Sequence, residues 1–313
     1  MPDPLDPGKE VMVMRNSNVY GRKNPPHRGK VRDVYDLGDR MLIVTTDRIS
    51  AFDVVYPTLI PHKGESLHAL SVFWLSRTGE IFPNHFVESI DSRSMTVVKA
   101  KRIDIEWVCR AYLYGSAWRA YRDGLRTVSG VEIPNGLLMA EELPEVVLTP
   151  TTKSEEGHDR EMTRADAIKA GIVTKSEFLE LEEATIQLFN FYSRVAKSRG
   201  FIIPDFKLEF GRVKGGLIQI DEPPTHDSAR FWAKKFYEPG KPQEATCIDK
   251  EFLRECLRRM GYTGDGSPPP IPAPVVREVS KRCVASYQVL SGAKSLDEFD
   301  LHSVDSVMGE VRS

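Results

Sequence analysis

Cysteine is scarce and scattered in this sequence. Cys109, Cys247, Cys256 and Cys283 are its four, with no Cys-x-x-Cys pair among them, which excludes a zinc knuckle and a disulfide framework and suits a reducing compartment. Long apolar runs are absent too: none approaches a membrane span, and residues 1–10 lack the basic and apolar regions of a signal peptide. A cytoplasmic chain with no membrane partner is expected. An excess of one charge is also missing. Lysine and arginine number 43 against 45 aspartates and glutamates, a formal net charge of -2, so no global positive field exists to hold nucleic acid by counterion release.

What is present is the balance of a folded protein. With 41% hydrophobic residues in 313, the chain can bury a core as one large domain or two intimate lobes. After a proline-rich extension, residues 29–36 and 41–46 read as two strands joined by a turn at Leu37-Gly38-Asp39-Arg40. Leu67, Leu70, Phe73 and Trp74 recur at helical spacing before Gly79, whereas residues 96–98 and 105–109 look extended. Thr174 and Glu177 have the spacing of a capping box, and Phe178, Leu181, Leu188, Phe191, Tyr192 and Val195 follow on one helical face up to Gly200. Residues 201–210 and 217–220, separated by Gly211, Gly215 and Gly216, read as a hairpin. Residues 267–274 form a stiff proline-rich connector before a helix over 276–290. From residue 293 onward the apolar residues are too sparse to predict a helix.

The hairpin carries the first chemical signal. Alternation through Asp205-Phe206-Lys207-Leu208-Glu209-Phe210 places three charged residues on one face and three apolar residues on the other. A solvent-facing sheet has the same pattern, but here the second strand runs into Asp221-Glu222, so carboxylates accumulate beside a lysine. An odd-numbered loop would put Glu209 and Asp221 on one face and an even-numbered loop would not. Converging carboxylates and a lysine are what a magnesium nucleotide requires. In Arg28-Gly29-Lys30-Val31-Arg32, Lys30 and Arg32 are expected to point to one side of an extended strand, although the segment lacks the second glycine and Lys-Ser/Thr pair of a phosphate loop. The polar stretch 149–159 offers Lys153 to a phosphate and Asp159 to a metal. Arg110 is a candidate bidentate clamp, and Ser116 a candidate helix N-cap. These features alone leave open a small-molecule kinase and a nucleotide-binding regulator without turnover.

Taken in order, the segments resemble one family. They are Gly29-Lys30-Val31-Arg32-Asp33-Val34-Tyr35, residues 46–53, Pro61-His62-Lys63-Gly64, residues 110–118, residues 149–153, residues 205–211, and residues 227–232. The set is similar to the SAICAR synthetase family from about residue 28 to about residue 290. The resemblance implies an α+β fold related to ATP-grasp, with a small N-terminal lobe (28–112) and a larger lobe (113–292) enclosing ATP. Residues 1–27 are then an extension and 293–313 a tail. It implies ATP, L-aspartate and carboxyaminoimidazole ribotide as substrates, with Mg2+ accompanying the nucleotide.

By the same resemblance, Gly29, Lys30, Val31, Arg32, Lys153, Glu209 and Asp221 look like the ATP site, with Glu209, Asp221 and Asp159 on the metal. Glu106, Arg110, Ser116, Asp205, Lys207, Arg230 and Arg254 look like the ribotide site, among which Asp205, Lys207 and Arg230 are the expected catalytic groups. Arg48, Ser50 and Asp53 are the candidates for holding aspartate. The chain departs from the family pattern at His226, where proline is frequent, and at Ala229, where serine or glycine is usual. Those departures bear on the geometry of the loop between Asp221 and Arg230.

Overall fold

Hairpins dominate the first third of the chain. In the computed structural model, which describes residues 5–6, 11–18, 25–153, 160–243 and 247–312, β1 (His27–Arg28), β2 (Arg32–Asp36) and β3 (Arg40–Thr45) form an antiparallel meander. Gly38 turns the β2–β3 connection at φ 98°, a region that glycine enters without steric cost. β4 (Arg48–Ala51) and β5 (Val54–Leu59) make a second hairpin whose tip residues, Phe52 and Asp53, both have positive φ. The helix α1 (Lys63–Thr78) then buries Leu67, Leu70, Trp74 and Leu75. β6 (Phe86–Ser89) and β7 (Ser94–Val98) complete a five-stranded sheet in the order β1-β2-β3-β7-β6.

A second sheet follows. β8 (Lys101–Arg102), β9 (Ile105–Tyr112) and α2 (Gly115–Arg122) precede the small ribbon of β10 (Thr127–Val128) and β11 (Val131–Glu132), then β12 (Glu142–Leu148) and β13 (Thr151–Thr152). After α3 (Arg164–Lys169) and the long α4 (Lys175–Ser198) come β14 (Phe201–Ile202), β15 (Asp205–Val213), β16 (Gly216–Ile220) and β17 (Trp232–Ala233). The second sheet runs β12-β9-β15-β16, with β13 on β9 and β8 on β15. Thus Ile105–Tyr112, grouped with the first lobe by the sequence reading, is a central strand of the second sheet. Its apolar face explains why: Ile105, Trp107 and Cys109 enter the main core, where the Trp107 ring lies 4.8 Å from Phe178 of α4.

Three helices close the chain: α5 (Glu251–Arg259), α6 (Ala273–Ser291) and α7 (Val304–Arg312). They share a second core with Ile49, Tyr56 and Ile60 of the β4–β5 region, so the N-terminal segment is packed against C-terminal helices. The α7 helix was not predicted, because only Val304, Val307 and Met308 are buried on it and its formation depends on the surface that α5 and α6 provide. The mixed arrangement is the α+β class expected from the sequence.

Candidate active site

The charged face of β15 organises the site. Phe206, Leu208 and Phe210 enter the core, which turns Asp205, Lys207 and Glu209 to the other side. The antiparallel neighbour β9 sets Arg110 opposite Asp205 and Val108 opposite Lys207, so Glu106 and Arg110 share that face. Lys207 Nζ donates to Glu106 Oε1 at 2.6 Å and to Glu209 Oε1 at 2.7 Å. Lys153 follows β13, which pairs with β9 at Glu106; it is hydrogen-bonded to Glu209 and stands 3.8 Å from Glu106. Two lysines and two carboxylates therefore alternate in one cluster. Burial favours a neutral Lys207, but Glu209, Asp221 and Glu106 overcome it and hold the ammonium well above the usual lysine range. Burial, together with the nearby Asp221, pushes the Glu209 carboxyl up against the opposing pull of Lys207 and Lys153.

Asp221 joins this cluster by a backbone reversal. The β15–β16 register pairs Glu209 with Ile220 and Val213 with Gly216, leaving a two-residue loop, the even case in which strict alternation sends Asp221 to the opposite face. Instead Asp221 leaves the strand at φ 60°. Its carboxylate meets Arg32 from the first sheet, and Arg32 also lies 3.7 Å from Glu222. Burial would raise the Asp221 carboxyl, but Arg32, Lys207 and Lys153 hold it well below the ordinary carboxylate range. His85 stands beside Asp221 and Arg32; burial lowers its pKa to about 4 and keeps it neutral.

Arginines gather at the other end of the face. Arg230 Nη1 donates to both oxygens of Asp205, at 2.7 and 2.6 Å, while Arg110 lies 3.7 Å away and bonds Thr149 Oγ1 and Ser116 Oγ at 2.9 and 3.1 Å. Ser116 is thus within α2 and accepts from Arg110; the N-cap expected of it is Tyr114, whose side chain makes no cap. Arg254 donates to Glu251 at 2.9 Å, Arg258 donates to it at 2.8 Å, and Arg230 lies 3.8 Å from it. Asp249 accepts the main-chain N–H groups of Phe231 and Glu251, both at 2.7 Å, and burial pushes its carboxyl up to about 6.

The turn before β2 differs from its expectation. Lys30 and Val31 form a two-residue turn closed by Gly29 N donating to Arg32 O at 2.8 Å, so Lys30 and Arg32 diverge and do not share one side of a strand. Arg32 goes to Asp221, whereas Lys30 pairs with Asp53 at 2.6 Å across exposed surface. Arg48 is buried: it donates to the carbonyls of Gly29 and Lys30 at 3.1 and 3.2 Å and to Asp33 at 2.7 Å. Val31 O accepts from Thr46 N and Oγ1 at 3.0 and 2.8 Å. Arg48 therefore supports the turn, and Ser50 is buried in the hairpin behind it. Asp159 lies outside the described residues.

Several charged neighbours carried no assigned role in the sequence reading. Lys63, fully buried, donates to Asp227 at 2.9 Å, and Lys250 lies 3.2 Å from the same carboxylate. The spacing of Glu251, Arg254 and Arg258, at i, i+3 and i+7 of one helix, was a usable signal for a shared face. At the departures from the family pattern the loop is well anchored. His226 Nδ1 is 2.9 Å from Ser286 Oγ, and Ala229 is bridged to Phe206.

Comparison with known proteins agrees with this architecture. The family model described as SAICAR synthetase matches residues 26–269. The phosphoribosylaminoimidazole-succinocarboxamide synthase of Bacteroides thetaiotaomicron is 39% identical over 297 residues, covering 92% of this chain and 94% of the relative. That of Desulfosudis oleivorans is 41% identical, covering 85% and 94%. Among solved structures, the SAICAR synthase of Saccharomyces cerevisiae complexed with SAICAR superposes with a TM-score of 0.80 at 32% identity, over 90% of this chain and 99% of that one. The chain belongs to the SAICAR synthetase family.

Proposed function

We propose that this protein uses ATP to join the amino group of L-aspartate to the carboxylate of carboxyaminoimidazole ribotide, releasing succinocarboxamide-aminoimidazole ribotide, ADP and phosphate. The observation that carries the reading is the adjacency of two charge clusters, both anchored on the charged face of β15. One interleaves Lys153 and Lys207 with Glu106 and Glu209 and is closed by Asp221. In the other, Arg110, Arg230 and Arg254 are held by Asp205 and Glu251, with Arg258 shared between Glu251 and Glu255. The net positive charge of that second set suits a phosphate monoester, which carries about two negative charges at neutral pH.

A carboxylate resists attack by an amine because it is anionic and its leaving group would be oxide. In the mechanism we favour, the ribotide carboxylate attacks the γ-phosphorus of ATP, ADP departs, and an acyl phosphate forms. The unprotonated aspartate amine then attacks the acyl carbon, phosphate leaves with the bonding pair, and the nitrogen loses a proton to give the amide. Such chemistry needs alignment and charge neutralisation more than a protein nucleophile. Lys153 and Lys207 would face the phosphates, Gly29 to Arg32 would cover them, and Arg110, Ser116, Arg230 and Arg254 would take the ribotide. Asp205, bonded through both oxygens to Arg230, fits an orienting role better than that of a base.

Mg2+ fits the carboxylate pair. Among the described residues no group of three or more metal-ligating side chains forms, but Mg2+ is commonly held by one or two carboxylates plus substrate phosphates. Glu209 is pushed up by burial and by Asp221, a repulsion that a cation would relieve. Glu209 and Asp221 would hold the ion, which supplies neutralisation of phosphate charge. For L-aspartate, the exposed neighbourhood of Lys30 and Asp53 is better suited than Arg48 and Ser50, which are buried. We place the reaction in the cytoplasm, where the four buried cysteines stay reduced.

The test is phosphate release from ATP by the purified protein with Mg2+ and the carboxylated ribotide, with and without L-aspartate. Release that depends on aspartate, with one succinocarboxamide per phosphate, is the expected result. A phosphorylated product that accumulates without aspartate would make the chain a kinase. ATP binding with no turnover at any aspartate concentration would make it a regulator.

A further inference from the structure

Glu251 is the first residue of α5 and only 5% exposed. A carboxylate so placed needs several donors to offset the loss of water, and here the donors are arginines from two parts of the chain. Arg254 Nη1 binds its Oε2 at 2.9 Å, Arg258 Nη2 binds its Oε1 at 2.8 Å, and Arg230 Nη2 approaches Oε2 at 3.8 Å. The same helix start is tied to the segment that carries Arg230 by Asp249, which accepts from Phe231 N and Glu251 N together. Arg258 extends the connection further, its guanidinium lying 5.6 Å from the centre of the Phe52 ring at the β4–β5 hairpin tip.

Three guanidiniums this close repel one another unless an anion stands among them. Arg230 has Asp205 as its other partner, while Glu251 is the carboxylate that Arg230 and Arg254 have in common. Both side chains remain partly open to solvent, at 22% and 30%, so each guanidinium keeps a side that an incoming anion can reach. We propose that Glu251 is a positioning residue: it sets Arg230 and Arg254 at the angle and separation that receive the ribotide phosphate. The inference rests on the ligase reading above. It assigns Glu251 to substrate recognition through the arginines, with no contact to substrate of its own.

The test is steady-state kinetics of Glu251→Gln and Glu251→Asp, with ATP and the ribotide varied in turn. Glu251→Gln retains size and loses the charge that holds the arginines. The expected result is a ribotide KM raised about tenfold or more, with kcat and the KM for ATP changed less than about threefold. Glu251→Asp keeps the charge on a shorter stem, so its ribotide KM should fall between those of Glu251→Gln and wild type. A merely structural role would raise the KM for ATP and for the ribotide together and lower kcat with them, and that pattern would overturn the inference. So would a wild-type ribotide KM in Glu251→Asp, even if Glu251→Gln did not fold. Failure of the wild-type chain to form succinocarboxamide would instead remove the underlying reading, and this inference with it.

Discussion

At Asp221 the backbone sits at φ 60°, a region that costs a non-glycine L-residue about 1 kcal/mol. Asparagine tolerates the same conformation, so Asp221→Asn separates charge from backbone. We expect its melting temperature to fall, because Arg32 loses its partner, and aspartate-dependent phosphate release to fall about a hundredfold or more, read by calorimetry and by product assay at a temperature where both proteins are folded. Unchanged turnover would remove Asp221 from the nucleotide site. The convergence of Asp221 with Glu209 was only half legible in the sequence. Alternation showed which residues of 205–210 share a face, but the return of Asp221 depends on one dihedral angle and on Arg32, 189 positions away in the chain. Ser116 shows the same limit: its residue type suits a cap, and only the fold brings Arg110 to its hydroxyl.

Among the elements, α4 was the most readable because its signals are local. Thr174 accepts from Glu177 N at 3.1 Å and Glu177 accepts from Thr174 N at 2.7 Å. Glu177 also takes two bonds from Arg212 of β15, at 2.6 and 3.0 Å, so the helix start is fastened to the strand that carries Lys207 and Glu209. Thr174→Ala should cost about 1 kcal/mol of stability, seen as a lower denaturant midpoint with an unchanged slope; a midpoint equal to wild type would mean the cap is idle. The turn at Lys30 was less readable. Basic residues two apart suggested a strand, whereas the buried Arg48 fixes the carbonyls of Gly29 and Lys30 into a tight bend.

For the whole molecule, the two sheets are joined by buried charge as well as by apolar packing. Lys63 at the start of α1 meets Asp227, which Lys250 also approaches from just before α5, and α1 packs along α6. Acid should loosen this assembly, and Glu251 gives one defined window. Burial alone would raise its carboxyl, but Arg254, Arg230 and Arg258 hold it down at about 2, against 4.5 for the free group. The folded pKa is the lower one, so the stabilisation is full above pH 4.5 and is lost as pH falls toward 2. That difference corresponds to at most about 3 kcal/mol. Stability plotted between those limits should therefore fall less steeply for Glu251→Gln than for wild type, and parallel curves would show that this carboxyl does not govern acid sensitivity. At this scale the sequence conveyed the class of fold and the order of its segments. It did not show that Ile105–Tyr112 lies between β12 and β15, because strand pairing is a property of distant partners.

The position of α7 has a practical consequence for anyone shortening or tagging the chain. Val304, Val307 and Met308 insert beside Phe252, Leu253 and Cys256 of α5, and Asp305 pairs with Arg259. Deleting this last helix would strip the outer support from the helix that carries Arg254, although none of the deleted side chains belongs to the proposed substrate site. A truncated enzyme could then be mistaken for one with a damaged binding pocket, when what it had lost was the buttress on the far side of the wall.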